Sequence, residues 1–271
     1  MTMFPEMTNA GLSVAKEVTG IDETGKKRVL QLVGERAMTI YVDKQEIVTL
    51  MTIGSHPELL TLGYLKNQGF FEEISEIKVV QVDWETESVA VVTAGENSDF
   101  SKQMQRRTVT TGCGQGTVFG RLMEKLQKIR VPENSVRQST LYSLLDSVRA
   151  HNEVYKKAGA VHGCALYAGA KLDLFVEDVG RHNAVDAIAG YMWLNGVPGD
   201  NKIFYTTGRL TSEMVIKVSQ MGIPVLLSRS GATQMGLEMA QLSGVTLISR
   251  SRGKRFMVLN GAQNIEFDAL G

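Results

Sequence analysis

The segment TTGCGQGT, residues 110–117, places Cys113 between two glycines. Glycine tolerates backbone geometries that leave a neighbouring side chain accessible and bring backbone N–H groups together. Thr117 is suited to begin the helix predicted after this segment. A helix N-terminus close to Arg106 and Arg107 would favour the thiolate form of a cysteine. These features predict a reactive cysteine on an exposed loop.

The chain has one other cysteine, Cys164, in the apolar segment VHGCALY. Free cysteine buries readily, so this position is interpreted as part of the core. Two distant cysteines in a chain without a secretory signal do not indicate a disulfide scaffold. His162, in the same segment, is interpreted as a structural residue that hydrogen-bonds locally. Neither CGQG nor the four histidines provide paired zinc ligands, so we expect no intrinsic metal.

Three turns between a strand and a helix carry polar residues, in EDVGRHN (177–183), TTGRLTSEM (206–214) and SRSGAT (228–233). Clefts form at the carboxyl ends of strands, and helix N-termini with arginines bind anions. The three turns are therefore predicted to line one pocket for a ligand rich in phosphate or polar edges. The alternative is three ordinary helix caps. The candidate ligand-binding side chains of these turns are Arg181, His182 and Arg209.

A cluster of four cations occupies residues 250–255, RSRGKR, between an apolar strand and FMVLN. The chain as a whole has 29 Lys and Arg against 29 Asp and Glu, so no global basic field favours nucleic acid. The cluster is thus the best local candidate for a phosphate clamp. The alternative is a solvated, charged hairpin. Its members are Arg250, Ser251, Arg252, Gly253, Lys254 and Arg255.

The elements that must position these residues follow from periodicity. Residues 136–262 alternate strands and helices, which predicts a layered α/β domain with a partly parallel sheet. Its helical apolar stripes are predicted to be core. The stripes are Leu141, Leu144, Leu145 and Val148 in a long helix TLYSLLDSVRAHNEVYKKAG, and Val185, Ile188, Ala189 and Met192 in the next.

A smaller α+β unit is predicted for residues 25–135, so the whole chain is α/β in class. It begins with a hairpin, RAMTIYVDKQEIVTLMTIG, and a helix whose start is indicated by Ser55, Pro57 and Glu58. Residues 1–24 are predicted to be a poorly ordered lead-in and residues 263–271 a tail.

The whole-chain properties limit the function classes. A length of 271 residues with 43% hydrophobic content supports a sizeable core. No run approaches the roughly 20 apolar residues of a membrane span, and the first residues lack the pattern of a signal peptide. We expect a cytoplasmic protein that binds neither membrane nor nucleic acid.

Several segments together resemble the formate dehydrogenase accessory protein FdhD family, over roughly residues 40–262. The segments are TGCGQGT, VHGCALY, EDVGRHNAVDAIAGY, GRLTSEMVIKVSQMGIPVLLSRSGAT and GVTLISRSRGKRFMVLNG. The resemblance implies a sulfurtransferase that supports maturation of molybdenum- or tungsten-dependent formate dehydrogenase. It implies a cysteine desulfurase and formate dehydrogenase as partners, and is compatible with a homodimer.

The resemblance also implies a C-terminal domain like the three-layer cytidine deaminase fold, without its zinc site. Gly163 and Cys164 follow His162 where a deaminase would carry its glutamate, and no Pro-Cys-x-x-Cys segment follows. The client that it implies is the molybdenum cofactor in its bis(molybdopterin guanine dinucleotide) form, bound by residues 250–255.

The resemblance places the sulfur, as a persulfide, on Cys113. Many members have a second loop cysteine where this chain has Gly116, which favours a relay by one cysteine. Two alternatives stay open. One is a cofactor-binding chaperone that transfers no sulfur, and the other is a hydrolase that uses Cys113 with His162 or His182.

Overall fold

A computed structural model describes residues 4–13, 15–95, 108–109, 116–117 and 129–269. These residues form a mixed α/β fold with a five-stranded sheet, a six-stranded sheet and three two-stranded pairs. The predicted α/β class is therefore confirmed. The likeness of the C-terminal part to cytidine deaminase stays a prediction.

The N-terminal part contains seven strands among the residues just given. They are β1 (Glu6–Met7), β2 (Ala15–Ile21), β3 (Lys27–Val33), β4 (Arg36–Val42), β5 (Gln45–Thr52), β6 (Ile77–Asp83) and β7 (Ser88–Thr93). The sheet has the order β1-β6-β7-β4-β5, and β2 pairs with β3. The predicted hairpin is confirmed as the antiparallel pair β4–β5. Its two turn residues, Asp43 and Lys44, both have positive φ, as tight hairpin turns require.

The predicted lead-in, residues 1–24, is wrong where the structure describes it, because β1 pairs with β6 and β2 with β3. Side chains from elsewhere hold the segment between these strands. The Glu58 carboxylate accepts hydrogen bonds from Thr8 Oγ1 at 2.8 Å and from Ala10 N at 2.6 Å. Trp84 Nε1 donates to Ala10 O at 2.7 Å. These partners lie about 50 or more residues away in sequence, so local patterns could not reveal them.

The helix predicted near Ser55 is α1 (Pro57–Gln68), and Gly69 ends it with a φ of 74°. The N-cap is His56 and not Ser55, and no side chain caps the helix. Glu58 binds the lead-in at Ala10 N instead. The helix is buried on nearly all sides. It therefore lies inside the molecule and joins the two halves of the fold.

The second sheet has the order β12-β11-β13-β14-β15-β16, and β13, β14 and β15 run parallel. The strands after β7 are β8 (Thr108–Val109), β9 (Gly116–Thr117), β10 (Val136–Arg137), β11 (His162–Ala168), β12 (Lys171–Asp178), β13 (Lys202–Thr206), β14 (Val225–Ser228), β15 (Thr246–Arg252), β16 (Arg255–Asn260) and β17 (Ile265–Glu266). The predicted, partly parallel sheet is confirmed. The predicted tail is part of the fold, because β17 pairs with β10.

The other α-helices in the described ranges are α2 (Gln138–His151), α3 (Glu153–Ala158), α4 (Arg181–Asn195), α5 (Ser212–Gln220) and α6 (Gln234–Ser243). The long helix predicted after Ser139 is two helices, because the chain leaves helical geometry at Asn152. Thr233 caps α6 through its hydroxyl, which accepts from Gly236 N. Gly244 ends α6 with a φ of 83°, a left-handed conformation that glycine adopts readily.

The six-stranded sheet has apolar helices on both faces. The predicted stripe of α2 is buried in one cluster with the interior of the sheet, and the stripe of α4 is buried in the other. Helices α1 and α4 touch backbone to backbone at Gly63 and Gly190. A Cβ on Gly63 would lie 1.7 Å from Asp186 O, and one on Gly190 would lie 2.0 Å from Leu59 O. The core thus runs across the boundary predicted near residue 135.

Within the described ranges, no helix is both long and apolar enough to span a membrane.

Candidate ligand-binding cleft

A cleft of about 460 Å³ opens at the carboxyl ends of β13 and β14. Each of the three polar turns contributes to it, through Val179, Thr207, and Arg229 with Ser230. The three turns therefore meet at one cleft, but the side chains predicted to bind its ligand, Arg181, His182 and Arg209, are not among its lining residues. This is the position at which open α/β sheets commonly bind ligands.

Backbone hydrogen bonds between neighbouring turns hold the cleft in shape. Thr207 N donates to Gly163 O at 2.9 Å, and Arg229 N donates to Thr206 O at 3.1 Å. Arg250 N donates to Ser230 O at 2.8 Å, which fixes the end of β15 against the third turn. The lining residues are thus presented by a rigid edge of the sheet.

Two arginines stand at the centre of this region. Arg229 and Arg252 line the cleft, and both also line a second hollow beside it, together with Tyr205 and Gly253. Burial raises the pKa of Tyr205 to about 12, although both arginines act in the opposite direction. The phenol is therefore neutral near pH 7. The two guanidinium groups can contact a ligand that occupies either hollow.

The cationic cluster of residues 250–255 does not act as one clamp in the structure. Ser251, Arg252 and Gly253 face the hollow beside the cleft. Arg250, Lys254 and Arg255 line another groove with Tyr142 and Phe256. The register of β15 with β16 is irregular between Ser249 and Arg252, and Arg250 has a positive φ of 52°. This irregularity separates the four cations, which sequence spacing alone could not show.

The other predicted ligand residues occupy different environments. Arg209 is exposed, whereas Arg181 is only 6% exposed and packs against Gly208. A Cβ on Gly208 would lie 2.8 Å from Arg181 Cδ, so this turn requires glycine for the approach. Besides burial, the positive charges of Arg181 and Arg209 both lower the pKa of His162, which lies in the cleft wall.

His182 is 3% exposed and lies against α5, away from the cleft wall. Its Nε2 atom is 3.3 Å from Glu213 Oε2. Burial and the charge of Lys217 lower the pKa of His182 to about 3, and outweigh the opposite effect of Glu213. The structure therefore does not bring this histidine to the predicted ligand site.

His162 was predicted to be a structural residue, and it does make a local contact. Its Nδ1 atom lies 3.3 Å from Thr207 Oγ1, which also accepts from Gly163 N at 3.0 Å. The side chain is half-buried and lines the cleft as well. Burial, and then Arg181 and Arg209, lower its pKa, so the ring is neutral at pH 7. A neutral imidazole offers a ligand one donor or one acceptor.

The two acids of EDVGRHN support the cleft from behind. The Glu177 carboxylate is buried and accepts hydrogen bonds from Val154 N and Tyr155 N, both at 2.9 Å. It therefore holds the start of α3, whose Tyr155 lines the cleft together with Asn152. Sequence reasoning missed these two lining residues. The asparagine in HNEVYKKAG could have indicated the helix end, since asparagine favours caps and turns.

Asp178 connects the two halves of the fold. It accepts hydrogen bonds from Thr52 Oγ1 at 2.5 Å, from Gly180 N at 3.0 Å and from Asn183 Nδ2 at 2.8 Å. Burial raises the pKa of Asp178, whereas these donors act to lower it. Asn183 also donates to Met51 O, and Gly180 is the N-cap of α4. The segment EDVGRHN therefore stabilises the contact between the two halves of the fold and also contributes to the cleft.

Cys113 lies outside the described residues. Cys164 is fully buried, and its Sγ donates to Thr206 Oγ1 at 3.3 Å. Burial raises the pKa of this thiol to about 12, which confirms the structural interpretation. In the part of the chain that the structure describes, no three His, Cys, Asp or Glu side chains gather as metal ligands.

The fold and the cleft define a mixed α/β protein with two arginines, Arg229 and Arg252, in a cleft at the carboxyl ends of the central strands. The model of the FdhD/NarQ family matches residues 33–266 of this chain. The chain therefore belongs to the FdhD/NarQ family, as its motifs indicated.

Two relatives are both named sulfur carrier protein FdhD. The protein of Bacillus pumilus is 30% identical over 237 residues, which cover 87% of this chain and 90% of the relative. The protein of Wolinella succinogenes is 25% identical over 254 residues, which cover 92% of this chain and 89% of the relative. A crystal structure from Desulfotalea psychrophila, described as a formate dehydrogenase accessory protein, is 26% identical. It matches with a TM-score of 0.75 over 94% of this chain and all of the other.

Proposed function

We propose that this protein is a sulfurtransferase that carries sulfur from a cysteine desulfurase to the molybdenum cofactor used by formate dehydrogenase. The observation that carries the proposal is the cleft with Arg229 and Arg252, found in a chain whose relatives are named sulfur carriers. The cofactor is the client of the reaction and not a resident group of this protein.

The cleft suits the guanine dinucleotide part of that client. Arg229 and Arg252 can form paired hydrogen bonds with the oxygens of a pyrophosphate. Asn152, Tyr155 and His162 offer an amide, an aromatic ring and a neutral imidazole for the edges and face of a base. Arg181 and Arg209 add positive charge close to His162 in the cleft wall, since both lower the pKa of that histidine. Arg250, Lys254 and Arg255 line a separate groove and are not proposed to bind this part of the client.

The sulfur is proposed to travel on Cys113. Its thiolate attacks the terminal sulfur of the desulfurase persulfide, the S–S bond of the donor breaks, and the donor leaves as a thiolate. Cys113 then carries the extra sulfur. Release of this sulfur to the cofactor as sulfide regenerates the Cys113 thiolate. The release consumes one electron pair, which the reduced metal centre or an external thiol supplies.

Cys164 is the matched comparison for this assignment. The chain has two cysteines, and Cys164 is buried with a thiol pKa raised to about 12. Because the thiolate is the nucleophile in persulfide transfer, Cys164 is a poor acceptor at neutral pH. With Gly116 in the loop, Cys113 acts without a second loop thiol.

Mass spectrometry after incubation with a cysteine desulfurase and L-cysteine tests the transfer. We expect the wild type and Cys164→Ala to gain the mass of one sulfur atom, and Cys113→Ser to gain none. A gain on Cys113→Ser that disappears in Cys164→Ala would show that the assignment is wrong.

A second candidate is a cofactor chaperone that transfers no sulfur, because Arg229 and Arg252 in the cleft could bind an anionic cofactor without any transfer of sulfur. Calorimetry with guanosine diphosphate separates the two. Binding by both the wild type and Cys113→Ser, without any persulfide on the wild type, would favour the chaperone.

A further inference from the structure

A groove separate from the cleft lies along β16, and its cations have no partner among the residues that the structure describes. Arg250, Lys254 and Arg255 line it and are exposed. Across the residues that the structure describes, none of the three forms an ion pair or donates a side-chain hydrogen bond. The nearby acids are already engaged, since Glu266 pairs with Arg137 and Asp268 accepts from Ser139. The groove therefore presents uncompensated positive charge.

Apart from Gln138, the other residues that line the groove are aromatic or apolar. Tyr142 and Phe256 line it with ring centroids 6.0 Å apart. Gln138 Nε2 donates to Tyr142 Oη at 2.7 Å, which fixes the tyrosine. Met257 and Phe267 also line the groove and are 57% and 48% exposed. Large apolar side chains that remain exposed beside a groove indicate an interaction surface.

The groove lies at an open sheet edge. Phe256 and Met257 are consecutive residues of β16, and consecutive side chains of a strand point to opposite faces. Both line the groove, so it must reach around the edge of the strand. β16 is the last strand of the six-stranded sheet and pairs only with β15 in the described chain. An open edge offers main-chain donors and acceptors to an added strand.

We propose that this edge groove binds an extended acidic segment of a partner protein, which adds as a strand to β16. Its main chain pairs with the open edge, its apolar side chains contact Tyr142, Phe256 and Met257, and its carboxylates face the three cations. A second copy of this chain is disfavoured, because it would bring like charges together. Cations alone can protect an edge from pairing, but here Met257 on the edge strand and Phe267 beside the groove remain exposed and can contact apolar side chains of a partner.

The probe is a fluorescein-labelled peptide of eight residues that alternates Glu or Asp with Leu or Phe, measured by fluorescence anisotropy with the full chain. We expect saturable binding that weakens as salt rises, because exposed charges are screened. The triple variant Arg250→Glu, Lys254→Glu and Arg255→Glu should weaken binding at least about tenfold. The matched control reverses Lys16, Lys78 and Lys171, which are exposed elsewhere, and should change binding less than about threefold.

Two further peptides test the mode of binding. A peptide with Lys in place of its acids, and one with alternate backbone amides N-methylated, should both bind at least about tenfold more weakly, because the first loses charge and the second loses strand pairing. Three results would each overturn the proposal: no binding of the acidic peptide, equal binding of the N-methylated peptide, or self-association through this edge in sedimentation.

The same experiment separates this surface from the cleft. The triple variant should bind guanosine diphosphate as the wild type does, since Arg250, Lys254 and Arg255 do not line the cleft. A parallel loss of nucleotide and peptide binding would assign the three cations to the cleft and overturn the proposal. Failure of nucleotide binding by the wild type would count against the proposed function alone.

Discussion

Lys217 Nζ lies 2.7 Å from Asp186 Oδ2, and both side chains are at most 1% exposed. The other carboxylate oxygen of Asp186 accepts from Asn67 Nδ2 at 2.7 Å. The three residues belong to α5, α4 and α1, so one buried ion pair joins the helices between the two sheets. It lies directly beside the Gly63 contact, where Asp186 O approaches α1 most closely.

Loss of one partner should therefore destabilise the whole fold. Lys217→Met leaves the Asp186 charge uncompensated, and we expect the free energy of unfolding to fall by about 3–5 kcal/mol. Lys171→Met, at an exposed position, should change it by less than about 0.5 kcal/mol. Urea unfolding followed by circular dichroism measures both. The double variant Lys217→Met with Asp186→Asn should recover part of the loss. If the double variant lost as much stability as Lys217→Met alone, the uncompensated charge of Asp186 would not explain the loss.

The buried histidine makes stability depend on pH in a known direction. The folded-state pKa of His182 is lowered to about 3, below the ordinary value of 6.5. Between these values the unfolded state binds a proton that the folded state does not, so stability falls as pH drops below about 6.5. We expect a loss of about 2 kcal/mol from this group between pH 6.5 and pH 5.

Comparison with His182→Gln isolates that contribution, because glutamine does not titrate. The variant should lose less stability than the wild type over the same interval, measured by urea unfolding at each pH. Asp178 and Asp186, whose pKa values burial raises, act in the opposite direction in both proteins and cancel in the difference. Identical pH profiles would show that the pKa of His182 is the same in the folded and the unfolded protein.

Glu177 should influence the cleft without touching a ligand. Its carboxylate accepts from Val154 N and Tyr155 N, and so positions the helix that carries Tyr155. Glu177→Gln retains one acceptor and places an N–H opposite the second donor. We expect guanosine diphosphate to bind about five- to tenfold more weakly, the usual worth of a helix cap.

Hydrogen exchange distinguishes positioning from general loss of structure. Amide exchange should rise in residues 153–158 of Glu177→Gln and stay unchanged in β13 and β14. Glu153→Gln, at an exposed acid in the same helix, should alter neither affinity nor exchange. A uniform rise across the protein would indicate that Glu177 only stabilises the fold.

The fold was predictable where the signal is local. The apolar stripes of α2 and α4, the caps at Thr233 and Gly244, and the convergence of three polar turns all follow from periodicity and turn chemistry. The break at Asn152 and the order in residues 4–13 depend on distant partners, Glu177 and Glu58. Tertiary contacts overrode local propensity at both places.

The candidate site was predictable only in part, for a related reason. Spacing identified the RSRGKR cluster, but strand alternation with one irregularity sends Arg252 to one side and Arg255 to the other. His182 looked like a ligand residue because it follows Arg181 at a helix start. The first turn of α4 instead buries it against Glu213. Which face a side chain takes depends on register, which composition does not encode.

The division of the cationic cluster gives the most direct test of the cleft. Arg252→Ala removes a guanidinium that lines both hollows, whereas Arg255→Ala removes one that lines neither. A hydrogen bond to a charged group contributes about 1.5–3 kcal/mol, so Arg252→Ala should weaken guanosine diphosphate binding by roughly tenfold or more. Arg229→Ala should weaken binding to the same extent, and Arg255→Ala should change the affinity less than about twofold.

Calorimetry at two salt concentrations measures the affinity of all three variants. The affinity of the wild type should depend more steeply on salt than that of Arg252→Ala or Arg229→Ala, because the wild type retains both phosphate contacts. If Arg255→Ala weakened binding as much as Arg252→Ala, the ligand would lie across the hairpin and not in the cleft.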